Sequence, residues 1–124
     1  MPLRCLIVDD NASFLDAATS VLQRDGVTVV AVASSSADAL RQVRELRPDV
    51  VLVDIMLGSE SGVHLAAQLA DANPGVPAVI LVSSNSEADV AVLIRDAPVA
   101  GFVPKPELSA SAIRRLLGAA GSFA

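Results

Sequence analysis

The sequence predicts an α/β fold: a five-stranded parallel sheet held between two layers of helices. Three observations carry this reading. Short apolar runs alternate with amphipathic stretches five times along the chain. The apolar runs are rich in branched residues and too short for helices, as expected of strands covered on both faces. No linker, low-complexity tract or charge block divides the 124 residues. One domain over 1–124 is therefore expected, with its core at about 3–117 and a short tail at 118–124.

Each element has a local justification. Residues 3–8 read as the first strand. Residues 11–25 read as a helix, with Phe14, Ala18, Val21 and Leu22 on one face at 3.6-residue spacing. Asp10 or Asn11 can cap it, and Gly26 is placed to end it. Residues 27–32 form the second strand. Ser35 or Ser36 can cap a helix that runs to about residue 46, with Leu40 and Val43 inward, and Pro48 breaks the chain. Residues 50–53 form the third strand. A loop with Gly58 and Gly62 leads to a helix over 63–72, and the Asn73-Pro74-Gly75 turn precedes a fourth strand over 78–82. Ser86 can cap a helix over 87–95, and a fifth strand covers 99–103. Ser109 can cap the last helix, which runs to about residue 117 with Ile113, Leu116 and Leu117 inward.

Right-handed crossovers and this size favour the flavodoxin-like strand order 2-1-3-4-5. Pro104 agrees with it. A proline cannot donate a ladder hydrogen bond, and in this order the fifth strand is an edge.

Composition excludes several function classes. Hydrophobic residues make up 52% and charged residues 19%, which excludes disorder. The longest apolar stretches fall far short of the roughly 20 residues of a membrane span. The start of the chain lacks the apolar segment and small-residue site of a secretory signal, so a cytoplasmic protein is expected. Fourteen acidic against nine basic residues give a net charge of -5, which disfavours direct nucleic acid binding. Cys5 is the single cysteine and sits in an apolar run, so no disulfide framework or multi-cysteine zinc site exists.

The strand ends carry the chemistry. The first ends in Asp9-Asp10, the third in Asp54, the fourth in Ser83-Ser84 and the fifth in Pro104-Lys105. Open parallel sheets bind ligands at this carboxyl edge, where the strand order reverses. Taken singly, each residue has a plain structural reading as a helix cap, a strand terminus, a loop hydroxyl or a surface lysine. Together they gather three carboxylates, a hydroxyl and the chain's only lysine. Three carboxylates repel one another, and a divalent cation relieves that repulsion. An all-oxygen set with room for water suits Mg2+ better than zinc. Asp54, the central residue, can act as a nucleophile toward phosphorus. Mg2+, Lys105 and Ser83 can then share the charge on the transferring oxygens.

With these residues in this order, the sequence resembles a response-regulator receiver domain of two-component signalling. The resemblance runs from about residue 3 to 117. It rests on Asp9-Asp10, Asp54, Gly62 eight residues later, Ser83, and Phe102 followed by Lys105-Pro106. It implies that Asp54 accepts a phosphoryl group from a sensor histidine kinase or phosphotransfer protein. It further implies that Asp10, Asp54 and the Met56 backbone carbonyl ligate Mg2+ directly, with Asp9 acting largely through water. Lys105 would pair with Asp54 and then with the phosphoryl group. Ser83 and Phe102 would be the switch pair, and the fourth helix, fifth strand and last helix the output face. That face could also carry a homodimer. Val90, Leu93 and Ile94 are expected to leave an apolar patch there.

The chain departs from the family pattern at four places. Gly58 stands where a proline is usual, Phe102 lacks the hydroxyl of the common tyrosine, Ser84 is bulkier than the usual alanine or glycine, and Pro104 precedes the lysine. The Gly58 change costs no site role and is expected to leave its loop more mobile, while Phe102 gives up any partner contact through the hydroxyl, Ser84 is expected to slow phosphoryl entry and Pro104 to stiffen Lys105. His64, on the third helix, reads as an ordinary surface histidine, and Arg41, Arg44 and Arg47 as a solvated face. Self-catalysed phosphorylation and dephosphorylation would be the only chemistry, so no enzyme in the usual sense is expected.

Three other readings compete. A flavodoxin-like cofactor binder would want a phosphate-cradling loop after the first strand, where Asp9-Asp10 would repel a phosphate. A haloacid-dehalogenase-type phosphatase would want an aspartate two residues after its nucleophile, where Asn11 or Met56 stands. A phosphate-independent pseudo-receiver has no reason to keep all five site residues. The seven residues after Leu117 are too few for a DNA-binding domain, so the sequence is expected to be a stand-alone receiver or part of a longer regulator.

Overall fold

A computed structural model describes residues 3–71 and 77–121 of the chain. Among them, five strands form one parallel sheet: β1 (Arg4–Val8), β2 (Thr28–Ala33), β3 (Val50–Asp54), β4 (Ala78–Ser83) and β5 (Gly101–Pro104), in the spatial order β2-β1-β3-β4-β5. The predicted order is the observed one. The helices are α1 (Ala12–Arg24), α2 (Ser36–Leu46), α3 (Gly62–Asp71), α4 (Glu87–Ile94) and α5 (Ala110–Gly121).

Strand alternation divides the interior in two. Leu6, Val8, Val51, Val53, Val79, Leu81 and Phe102 face α2, α3 and α4, where they pack with Ala39, Leu65, Leu69 and Val90. Cys5, Ile7, Val50, Leu52, Ile80, Val82 and Val103 face α1 and α5, where they meet Ala18, Leu22 and Ile113. The same alternation assigns the polar strand ends. Asp54 follows Val50 and Leu52 onto the α1/α5 side, and Ser83 follows Val79 and Leu81 onto the α4 side.

The helix signals act as the sequence predicts. Asn11, not Asp10, caps α1: its side chain accepts the Phe14 N–H at 3.1 Å. Ser35, Ser86 and Ser109 each accept a backbone N–H three residues on. Gly26, at φ 91°, closes α1. There the Gly26 N–H bonds the Gln23 carbonyl and the Val27 N–H bonds the Leu22 carbonyl, a Schellman pair that a left-handed residue makes possible.

Several expectations need correction. The last helix reaches Gly121, into the span expected to be tail, because Ala119 and Ala120 are strong helix formers. The fifth strand starts at Gly101 and not at 99, because the Val99 N–H turns back to the Ala97 carbonyl. The loop after β3 holds a small antiparallel hairpin, Met56–Leu57 against Glu60–Ser61, that the sequence did not suggest. The apolar patch on α4 is differently composed. Val90 is buried in the core and Ile94 half-buried, one helical turn apart on the inward face, so Val92 and Leu93 are the exposed residues. The Asn73-Pro74-Gly75 turn, the end of the third helix at Ala72 and the last three residues of the tail lie outside the described residues.

Candidate functional site

At the carboxyl edge of the sheet the structure brings together the acidic residues at the ends of β1 and β3. Asp9, Asp10 and Asp54 each offer a carboxylate oxygen, and these oxygens lie within 4.8 Å of one another. Asp9 is fully buried, Asp54 buried and Asp10 exposed. Lys105, which opens the short 3-10 turn after β5, reaches into the cluster. Its Nζ lies 2.7 Å from Asp9 Oδ2 and 3.1 Å from Asp54 Oδ2. The Asp54 contact is an aligned hydrogen bond. The Asp9 contact is close but misaligned, so this buried oxygen gains charge compensation without accepting a hydrogen bond.

Local turns hold the carboxylates in place. Asp9 Oδ1 accepts the Asn11 N–H at 2.9 Å, and Asp54 Oδ1 accepts the Met56 N–H at 3.2 Å. With Asn11 serving as the cap, Asp10 is left without a hydrogen bond or ion pair among the described residues. Ser83 is buried and its Oγ accepts the Asn85 N–H at 3.0 Å. Phe102 is buried on the α4 side, in the same core cluster as Val90. Met56 is exposed at the rim, as expected, and His64, Arg41 and Arg44 of α2 and Arg47 at its C-cap lie on the surface.

Burial raises the pKa of Asp54 and the neighbouring Asp9 charge raises it further. The Met56 N–H and Lys105 pull the other way without cancelling the shift. Burial also works against the Lys105 ammonium, but its close contacts with the Asp9 and Asp54 carboxylates outweigh it and leave its pKa raised. One ammonium therefore compensates three carboxylates incompletely. The buried Asp9 oxygen that accepts no hydrogen bond, the raised Asp54 pKa and the all-oxygen donor set fit a hard divalent cation.

Two glycines shape the mouth of the site. A Cβ on Gly62 would lie 1.8 Å from the Asp54 carbonyl oxygen, so only glycine lets the start of α3 pass this close to β3. Gly58 turns the hairpin at φ 60°, a conformation closed to the proline that the family pattern usually has there.

Sequence reasoning missed one member of the site. Phe14, assigned only to the inward face of α1, places its ring under the ammonium, with Lys105 Nζ 4.4 Å from the ring centroid. An aromatic at a core-facing helical position carries no sequence signal that separates packing from this contact. The Asp9-Asp10 pair four residues upstream was the available clue, since it sets where that face of α1 begins.

Comparison with known proteins identifies the family and the fold. A family model described as the response regulator receiver domain matches residues 5–117. The DNA-binding response regulator MtrA of Mycobacterium tuberculosis is 40% identical over 106 residues, which cover 86% of this chain and 45% of that protein. A protein-glutamate methylesterase/protein-glutamine glutaminase of Myxococcus xanthus is 32% identical over 133 residues, covering 99% of this chain and 38% of the other. The chain thus spans less than half the length of these relatives. Among solved structures, the receiver domain of the putative response regulator NarL from Mycobacterium tuberculosis superposes with a TM-score of 0.81 at 25% identity, covering 97% of each chain. A putative response regulator from Chloroflexus aurantiacus gives 0.82 at 21% identity, covering 98% of this chain and 99% of that one, a likeness of fold alone.

Proposed function

The chain belongs to the response regulator receiver domain family, and we propose that it acts as a phosphorylation-dependent switch with Asp54 as phosphoacceptor. The observation that carries this reading is the Lys105 ammonium seated between Asp9 and Asp54, beside Asp10, with one buried Asp9 oxygen still lacking a hydrogen bond.

Asp9, Asp10, Asp54 and the Met56 backbone carbonyl are the groups that would hold Mg2+. The bound ion would supply positive charge against the phosphoryl oxygens. An Asp54 carboxylate oxygen attacks phosphorus, the N–P bond of a donor phosphohistidine breaks, and its electron pair returns to the imidazole. Lys105 is already beside the attacked group and needs little rearrangement to bind a phosphoryl oxygen. Ser83 Oγ uses only acceptor capacity toward Asn85, so its proton is free to donate to the phosphoryl group. Because Ser83 and Phe102 share the α4 side of the sheet, movement of the hydroxyl is felt by the ring and by α4. The exposed Val92 and Leu93 place an apolar surface on that helix, and the face of α4, β5 and α5 is the proposed output surface, for a partner or a second copy.

In this reading the chain is a switch and its partner a histidine kinase or phosphotransfer protein. It acts in the cytoplasm, and this domain does not itself bind nucleic acid. Among the described residues no helix is long and apolar enough to cross a membrane. A cofactor-binding reading is disfavoured by the two carboxylates, Asp9 and Asp10, at the end of β1 where a phosphate cradle would be needed.

The test is nuclear magnetic resonance with Mg2+ and beryllofluoride, a phosphoryl mimic. Mg2+ alone is expected to shift the signals around Asp10 and Asp54, and further shifts at Ser83, Phe102 and Lys105 are expected only when both additions are present. Unchanged spectra, or the same shifts in Asp54→Ala, would remove the assignment.

A further inference from the structure

We propose that Phe14 is a positioning residue for the phosphoryl-transfer reaction, holding the Lys105 ammonium in the pocket through its ring face. This rests on the reading of Asp54 as phosphoacceptor. Lys105 has three N–H donors on a flexible four-carbon stem. One is aligned on Asp54 Oδ2 and a second lies close to Asp9 Oδ2. The remaining side of the ammonium faces the Phe14 ring at 4.4 Å, within the range of a cation–π contact. Without that ring, this side would open to water, and the stem could swing the charge out of the pocket.

The placement follows from the fold. Phe14 lies on α1 and packs against the cluster that covers the Asp54 side of the sheet. Its backbone N–H is fixed by the Asn11 cap, and Asn11 also donates its own N–H to Asp9. One turn of chain thus orients both an acidic partner of Lys105 and its aromatic floor. A lysine held at two carboxylates and a ring is preorganised for the charge that develops on phosphoryl transfer. The ring touches neither phosphorus nor donor, so its effect passes entirely through Lys105.

The uniqueness of Lys105 makes the contact directly readable. As the only lysine, it gives a single side-chain resonance from the methylene next to Nζ. Protons over an aromatic face are shifted upfield, so the wild-type signal should lie upfield of a solvated lysine. Phe14→Leu keeps apolar bulk and removes the ring, whereas Phe14→Tyr keeps the ring. Phosphoryl uptake from acetyl phosphate with Mg2+ should slow by about threefold to tenfold in Phe14→Leu, the span of a partly desolvated cation–π contact. The upfield shift should vanish with it, and Phe14→Tyr should restore both.

Double variants separate positioning from packing. In a Lys105→Ala background, Phe14→Leu should cause no further slowing. An unshifted wild-type lysine signal, unchanged uptake in Phe14→Leu, or equal slowing with and without Lys105 would overturn the proposal. A wild-type protein that takes up no phosphoryl group would instead end the Asp54 reading and this proposal with it, and the wild-type control identifies that case.

Discussion

Replacing Gly62 with alanine should destabilise the protein far more than a single methyl group usually does. The added Cβ would lie 1.8 Å from the Asp54 carbonyl oxygen, 2.7 Å from its carbon and 3.0 Å from Ile55 Cα. All three are backbone atoms, so no rotamer change relieves the overlap. Helix α3 and β3 must separate by more than about 1 Å to reach a tolerable contact. That motion strains the 2.7 Å Gly62 N–H to Ile55 carbonyl hydrogen bond and lifts the buried Leu65, Ala66 and Leu69 off the sheet. Overpacking costs about 1–3 kcal/mol and a lost backbone hydrogen bond about 1 more, so a loss of roughly 2–4 kcal/mol is expected. Gly26→Ala is the matched control. That site has φ 91° but nothing within 4 Å of a new Cβ, so only backbone strain of about 1 kcal/mol applies. Urea unfolding followed by circular dichroism suits a chain without tryptophan or tyrosine. A Gly62→Ala stability within about 1 kcal/mol of wild type, or equal to that of Gly26→Ala, would refute the close-approach argument.

Other consequences can be checked separately. Lys105→Ala strands the fully buried Asp9 beside Asp54 and should cost about 3 kcal/mol without metal; added Mg2+ should recover much of the loss, and an unaffected metal-free melting curve would argue against the buried pair. This exceeds what a solvated strand-end lysine would cost. Calorimetric Mg2+ titration should find Asp10→Ala weakened by about tenfold or more, and Asp9→Ala less, because Asp9 is already engaged by Asn11 and Lys105 while Asp10 has no partner among the described residues; the reverse order would contradict the ligand assignment. Burial pushes the Cys5 thiol from 9.0 up to about 12. The folded thiol stays neutral where the unfolded one ionises, so its contribution is fully present below pH 9 and is lost as pH rises toward 12; alkaline unfolding of Cys5→Ala should lack this part of the pH slope, and an identical slope would show that Cys5 does not contribute.

The parts of this fold written in local chemistry could be read from the chain. The runs at β1, β3 and β4 are continuous and end abruptly in Asp9, Asp54 and Ser83, so strands and site residues announce themselves together. Gly26 and the serine caps mark helix ends because each answers a specific backbone need. Helix α4 could not be oriented in this way: Val90, Ala91, Val92, Leu93 and Ile94 are all apolar, and a helix without polar punctuation has no periodic signal. The hairpin after β3 is two residues per strand, too short for alternation to appear. Phe14 was legible as an inward residue but not as a contact of Lys105, because the two are 91 positions apart and meet only once β5 is paired. Gly62 entered as part of a spacing pattern; the carbonyl it must clear became visible only with α3 set against β3.

The central claim is that this acidic pocket takes one phosphoryl group on Asp54. It is tested most directly by incubating the protein with Mg2+ and acetyl phosphate, measuring its intact mass, and mapping the modified residue after hydride reduction of the acyl phosphate. One phosphoryl mass, dependent on Mg2+, located at Asp54 and absent from Asp54→Asn, is the predicted result. Stoichiometric uptake that survives Asp54→Asn, or none in the wild-type protein, would contradict the account.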